Sequence, residues 1–248
     1  MTGSGGFGRR IASLAIAGMG LTMIAADHSD PDRRAEREAL VAGIAQQARG
    51  FPEIAPRGLS PEVLAALRQV PRHEFVPPEQ VASAYHDRPL PIGLGQTISQ
   101  PSLVAFMTEL LKVRAGSRVL EVGTGSGWQA ALLAALGAEV YSIEIVAPLA
   151  VTAEARLARL GYRVTVRAGD GYRGWPEHAP FDAIIVTAGA PRVPPPLVEQ
   201  LKRGGRLVIP VDAPGGWQQL WLIEKRADGT LDERSLMDVA FVPLTGEH

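Results

Sequence analysis

The run Val119-Leu120-Glu121-Val122 leads into Gly123-Thr124-Gly125-Ser126-Gly127, and Trp128 then opens an Ala/Leu-rich stretch ending at Leu136. Four residues rich in branched apolar side chains form a short buried strand, and the stretch after the glycines has helical composition. Between them lies a turn with glycine at every second position. Glycine lets a chain reverse sharply and lets backbone approach a ligand, because no Cβ intervenes. A glycine turn joining a strand's carboxyl end to a helix N-terminus is where open α/β sheets bind ligands.

Downstream, the alternation continues. Strands are expected at Glu139–Ile143, Val164–Ala168, Ala183–Val186 and Arg206–Val211, with helices at Ala147–Leu160 and Pro195–Leu201. Strands alternating with helices predict a mostly parallel, doubly wound α/β sheet covered on both faces. No helical stretch separates Leu220–Glu224 from Met237–Val242, and Asp228-Gly229 is a turn signal, so these two form an expected antiparallel hairpin at the sheet edge. Upstream, helices are expected from Pro31 to Gln47, from a Ser60 N-cap with Pro61 at the first helical position to just before Pro71, and over Pro101–Leu111. The Pro/Gly-rich segment Arg72–Gln100 reads as irregular. The expected organisation is an N-terminal extension over 1–30, a helical and substrate-binding region over 31–100, and a cofactor-binding core over 101–248.

The glycine spacing discriminates between cofactors. A pyrophosphate is seated by G-x-G-x-x-G, whereas Gly123, Gly125 and Gly127 follow G-x-G-x-G with Glu121 in front. That arrangement suits S-adenosyl-L-methionine, which has no phosphate but carries an amino group and a sulfonium. Glu144, about 20 residues beyond the glycines at the next strand end, is placed to accept the ribose hydroxyls. Asp170, in Gly169-Asp170-Gly171 after the third strand, is a candidate acceptor for the adenine amino group. Each signal alone is weak, since an isolated Asp170 is most often a turn residue. Three acceptors at successive strand ends converge on one ligand.

Net charge is −1, which leaves no electrostatic footprint for nucleic acid, and the chain has no cysteine, which excludes disulfides, thiolate metal sites and cysteine nucleophiles. His28, His73, His86, His178 and His248 show no metal-ligand spacing, so no metal is expected. Arg9-Arg10 precede an uncharged run from Ile11 to Ala26, which reads as a signal peptide and is short for a spanning helix. Met19 and Met23 are alternative starts that would remove it. The cofactor is made in the cytosol, and this favours a cytoplasmic protein. Export to the periplasm and a membrane anchor through 11–26 remain the alternatives.

The segment Tyr85-His86-Asp87-Arg88-Pro89-Leu90-Pro91-Ile92-Gly93-Leu94-Gly95-Gln96-Thr97-Ile98-Ser99-Gln100-Pro101 resembles the signature of the protein-L-isoaspartate (D-aspartate) O-methyltransferases. The resemblance continues through Glu121–Ala130, Gly169–Ala188, Val193–Pro210 and Phe241-Val242-Pro243-Leu244, and covers about Pro61 to Thr245. It implies a Rossmann-like class I methyltransferase fold and methyl transfer from S-adenosyl-L-methionine to the α-carboxyl of isoaspartyl residues in damaged proteins. The ester would collapse to a succinimide, whose hydrolysis restores some aspartate. The resemblance also implies that Ser99 is the active-site serine, with Thr97, Ile98 and Ser99 as a wall between cofactor and substrate. Glu121, Gly123, Gly125, Gly127, Glu144, Asp170 and Gly171 would contact the cofactor, and Asp87, Ile92, Gln96, Val242, Pro243 and Leu244 the substrate. Trp128 departs from the family's frequent tyrosine but stays aromatic. The expected state is a monomer.

Taken without the resemblance, Ser99 is simply a helix N-cap ahead of Pro101. It lies in neither G-x-S-x-G nor S-x-x-K, so it is not a covalent nucleophile. Other readings stay open: a methyltransferase with another acceptor, or a non-catalytic binding protein on the same fold. A nicotinamide oxidoreductase is disfavoured by the glycine spacing.

Overall fold

The computed structural model describes residues 31–246. The signal-like segment, His28 and His248 lie outside them. Three helices precede the sheet: α1 (Pro31–Gln47), α2 (Pro61–Gln69) and, after the hairpin of β1 (Leu90–Gly93) and β2 (Gln96–Ile98), α3 (Pro101–Leu111). Then come β3 (Arg118–Val122), α4 (Trp128–Ala135), β4 (Glu139–Glu144), α5 (Ala147–Arg159), β5 (Val164–Ala168), β6 (Phe181–Val186), α6 (Pro195–Gln200), β7 (Leu201–Asp212), β8 (Gln218–Lys225) and β9 (Leu231–Val239).

β3 to β9 form one seven-stranded sheet in the order β5-β4-β3-β6-β7-β8-β9. β3 pairs in parallel with β4 and β6, β4 with β5 and β6 with β7, while β8 and β9 add antiparallel strands at one edge. Successive strand residues serve opposite faces. Val119, Ala183, Ile185 and Val208 pack with the apolar sides of α1 to α4, and Leu120, Ile184, Val186, Leu207 and Ile209 pack in a second cluster with Leu197 of α6. The chain runs outward from β3 to β5 and then returns to the far side of β3 as β6. The gap between the carboxyl ends of β3 and β6 is therefore the topological switch point.

Four expectations about local structure change. The segment 72–100 contains short 3₁₀ turns at Arg72–Phe75 and Pro78–Ser83 and the β1–β2 hairpin, so it is not irregular throughout. Its strands are too short to show alternation, and its turn depends on positive φ at Gly93, Leu94 and Gly95. β7 begins at Leu201 rather than Arg206, with an irregular register against β6 between Phe181 and Ala183. β9 begins at Leu231, directly after the turn at Asp228, whose carboxylate accepts from the Thr230 amide at 2.9 Å. Ser60 occupies the N-cap of α2, but its hydroxyl donates to Glu109 of α3 at 2.7 Å, joining the two helices.

Candidate active site

Three positive φ values in five residues explain the glycines after β3: Gly123 at 98°, Gly125 at 50° and Gly127 at 88°. At Gly123 a Cβ would lie 2.4 Å from Oγ1 of Thr187, which follows β6. The Thr187 hydroxyl lies 2.6 Å from the Gly123 carbonyl and 3.1 Å from that of Val122, so it fastens the turn across the switch point. At Gly125 the amide donates to Oε2 of Glu144 at 2.7 Å, and Oε1 of Glu144 accepts from Val146 at 2.9 Å. Glu144 thus holds the turn from the end of β4. Gly127 serves helix packing instead, since a Cβ there would press on Leu157 of α5 at 3.3 Å, and the residue lies outside the cavity wall.

A cavity opens over this turn. Gly123, Gly125, Glu144 and Gly171 line it from the sheet side, and Gln96, Thr97, Ile98 and Ser99 line it from the hairpin side. Val242, Pro243 and Leu244 close a third side. They reach it because the Gly189 amide donates to the Val242 carbonyl at 2.8 Å and the Leu244 amide to the Gly189 carbonyl at 2.7 Å. A second cavity lies beside the first, with Phe106, Met237 and Phe241 in its wall. Thr97, Ser99, Thr187 and Val242 belong to both walls. These four residues form the partition, and Ser99 is one of them.

Several sequence-predicted residues sit elsewhere than expected. Glu121 is fully buried beneath the turn and lies outside the cavity wall. Its Oε2 accepts from the Ser142 hydroxyl, which in turn lies 2.5 Å from that of Thr124. Among the described residues its Oε1 has no hydrogen-bond partner. Burial, with the charge of Glu144 adding to it, pushes the Glu121 carboxyl up to about 8 despite the opposing Ser142 bond. The protonated form is thereby favoured relative to an ordinary carboxyl. Asp87 lines neither of these two cavities. Its Oδ1 accepts from the Ser102 amide at 2.8 Å, so Asp87 caps α3 from a distant segment. Ser99 therefore does not serve as the cap: the N-cap position is Gln100, with no side-chain cap of its own.

Asp170 also lies outside the cavity wall, accepting from the Tyr172 amide at 2.9 Å, while the adjacent Gly171 lines it. Ile92 sits over the glycine turn, its Cδ1 3.6 Å from where a Gly125 Cβ would be. Pro243 and Leu244 fall on the first cavity and not the second. Thr187 is not apparent from the sequence. It lies in the resembling segment Gly169–Ala188 and one residue beyond β6, at the fourth strand end around the switch point, but neither signal gives it a role.

The donor set fits S-adenosyl-L-methionine. A buried acceptor atom without a partner lies under a turn that admits close backbone approach, and a carboxylate stands at the neighbouring strand end. Among the described residues no group of three or more acidic or histidine side chains is placed to hold a metal.

Residues 51–248 match the protein-L-isoaspartate(D-aspartate) O-methyltransferase family. A relative from Syntrophobacter fumaroxidans, Protein-L-isoaspartate O-methyltransferase 2, is 57% identical over 222 residues, covering 89% of this chain and 90% of its own. Protein-L-isoaspartate O-methyltransferase 1 of Cupriavidus necator is 52% identical over 239 residues, covering 96% and 91%. A solved protein-L-isoaspartate O-methyltransferase superposes with a TM-score of 0.75 at 31% identity, covering 85% of this chain and 66% of that longer one. A Plasmodium falciparum structure described as a protein-L-isoaspartate O-methyltransferase, in complex with S-adenosyl-L-homocysteine, gives a TM-score of 0.71 at 26% identity, covering 86% and 98%. The chain belongs to the protein-L-isoaspartate (D-aspartate) O-methyltransferase family, whose methyl donor is S-adenosyl-L-methionine.

Proposed function

We propose that the two cavities divide the family's reaction between them: the donor occupies the cavity over the glycine turn, the isoaspartyl peptide the one beside it, and Ser99 orients the acceptor where they meet. The observation that supports this reading is that Ser99 belongs to both walls. On this reading the region over 31–100 serves substrate binding through the hairpin, and the region from 101 onward is the cofactor-binding core, consistent with hairpin residues such as Thr97 and Ser99 facing both cavities.

When bound, S-adenosyl-L-methionine supplies a methyl group on a sulfonium, which a carboxylate oxygen takes by in-line displacement, leaving S-adenosyl-L-homocysteine. The rest of the site needs little chemical power. An α-carboxyl has a pKa of about 3.5, so the nucleophile is already ionised at neutral pH and no general base is required. The residues have to fix direction and distance, which is where positioning contributes most. The Ser99 hydroxyl donates to one carboxylate oxygen and leaves the other to attack. Thr97, Val242 and the hairpin keep water from the path. Glu144 and the turn amides set the donor's depth.

The cytosolic source of the methyl donor supports action in the cytosol. Among the described residues no helix is long and apolar enough to cross a membrane.

The test is Ser99→Ala. Loss of a single preorganised hydrogen-bond donor costs roughly 100-fold in kcat, while the dissociation constant for S-adenosyl-L-homocysteine should stay within about threefold of wild type. An unchanged kcat removes Ser99 from the mechanism.

A further inference from the structure

The largest fully buried side chain belongs to a cation, Arg72, in the 3₁₀ turn that follows α2. Its two terminal nitrogens donate to three main-chain carbonyls from three places, while the buried Nε has no partner among the described residues. Nη1 donates to Ala84, at the end of the second 3₁₀ turn. Nη2 donates to Arg88 at 3.1 Å and to Ser99 at 3.0 Å. Arg88 stands two residues before β1 and Ser99 one residue after β2, so a single nitrogen bridges the two roots of the hairpin. That hairpin carries Gln96, Thr97 and Ile98 into the donor cavity. The guanidinium also meets an aromatic ring: its Cζ lies 5.3 Å from the centre of the Trp128 ring. Trp128 is the first residue of α4, directly after the glycine turn, and is itself part of the donor cavity wall.

Burying a cation among carbonyls is an inefficient way to stabilise a fold, since well-packed apolar side chains of similar volume do as well or better. What it supplies is geometry. A planar fork with fixed donor directions holds several acceptors in one relative arrangement, and a lysine ammonium cannot reproduce this. Here the arrangement joins the Ser99 peptide, the hairpin base and the residue that follows the glycine turn.

We propose that Arg72 is a positioning residue for methyl transfer: it fixes the Ser99 peptide and the base of the β1–β2 hairpin against the glycine turn, and so sets the angle at which Ser99 presents the acceptor to the donor. This inference rests on the role of Ser99 given above, and the two fail separately.

The experiment is a double-variant cycle of Arg72→Lys and Ser99→Ala, read as kcat for an isoaspartyl peptide at saturating donor. Circular dichroism and the dissociation constant for S-adenosyl-L-homocysteine serve as controls. Misplacement by about 1 Å costs roughly 100-fold, so Arg72→Lys should lower kcat by that order while the fold and the homocysteine affinity stay within about threefold of wild type. In the Ser99→Ala background the same substitution should cost less than about threefold, because its effect passes through the missing hydroxyl. A merely structural role predicts multiplicative losses or a normal kcat below the melting temperature, and either result overturns the inference. Wild-type kcat in Ser99→Ala overturns the Ser99 reading and the inference with it. A slow Ser99→Ala with a normal Arg72→Lys overturns the inference alone. If Arg72→Lys does not fold, Trp128→Leu keeps the guanidinium but removes the ring beside it. It should lower kcat in the wild-type background and not in Ser99→Ala, and additive losses in that pair overturn the inference.

Discussion

Gly123→Ala adds one methyl group where the structure has no room for it. The residue has a φ of 98°, in the region where an L side chain costs about 1–2 kcal/mol. The new Cβ would stand 2.4 Å from the Thr187 hydroxyl, which must swing away and give up its bond to the Gly123 carbonyl. That loss is worth about 1 kcal/mol. Together the two terms come to about 2–3 kcal/mol. In the free protein the turn can relax by opening, whereas the bound form needs its native shape, so the cost should appear as weakened binding. At 1.4 kcal/mol per tenfold, the dissociation constant for S-adenosyl-L-homocysteine should rise roughly 30- to 150-fold. Where the turn cannot open, the same cost lowers the melting temperature by about 5–10 °C. Isothermal titration and thermal denaturation read the two together. Thr187→Ala is the control, because it removes the atom the new methyl would meet. The double variant should bind no more weakly than Gly123→Ala alone. Affinity within threefold of wild type and an unmoved melting temperature in Gly123→Ala would refute the reasoning, and so would simple additivity in the double variant.

Two further outcomes follow from the same geometry. Because the Glu121 carboxyl sits at about 8 in the folded chain against an ordinary 4.5, the native state keeps a proton that the unfolded state releases. Its contribution is fully present below pH 4.5 and is lost as pH rises to about 8. The stability of Glu121→Gln minus that of wild type should therefore climb across that window and level off above it, and a flat difference in ligand-free melts would show that the group is ordinary. Asp87→Ala removes the acceptor of the Ser102 amide, so it should cost about 1 kcal/mol of stability as a lost helix cap and leave KM for the peptide within twofold. A raised KM without a stability loss would return Asp87 to the acceptor site.

Some of this site can be read from residue order because it is local. The glycine turn, the strand before it and the carboxylate at the end of β4 are set by backbone sterics and short spacing, and the sequence carries them directly. The alternation of β3 to β7 is equally plain, since buried parallel strands are continuous apolar runs. What the sequence hides is non-local. Asp87 looks like part of a substrate signature, yet its carboxylate caps a helix that starts 14 residues later. Glu121 looks like an ionised counter-charge, and only its burial beside Glu144 reveals that its pKa is raised. The β1–β2 hairpin reads as irregular in the sequence because its turn uses Leu94 at a φ of 53°, a conformation that residue identity does not announce. Thr187 and Arg72 lie within the stretch that resembles the family, yet nothing in the residue order assigns either a role. Each matters through what the folded chain brings to it: a glycine 64 residues earlier for Thr187, and a carbonyl 27 residues later for Arg72.

The most direct test of the account is methyl transfer from labelled S-adenosyl-L-methionine to matched peptides that differ only in an isoaspartyl or a normal aspartyl linkage. The two-cavity site predicts a base-labile methyl ester on the isoaspartyl peptide and none on its aspartyl twin. Equal transfer to both peptides, or to neither while S-adenosyl-L-homocysteine still binds, would contradict it.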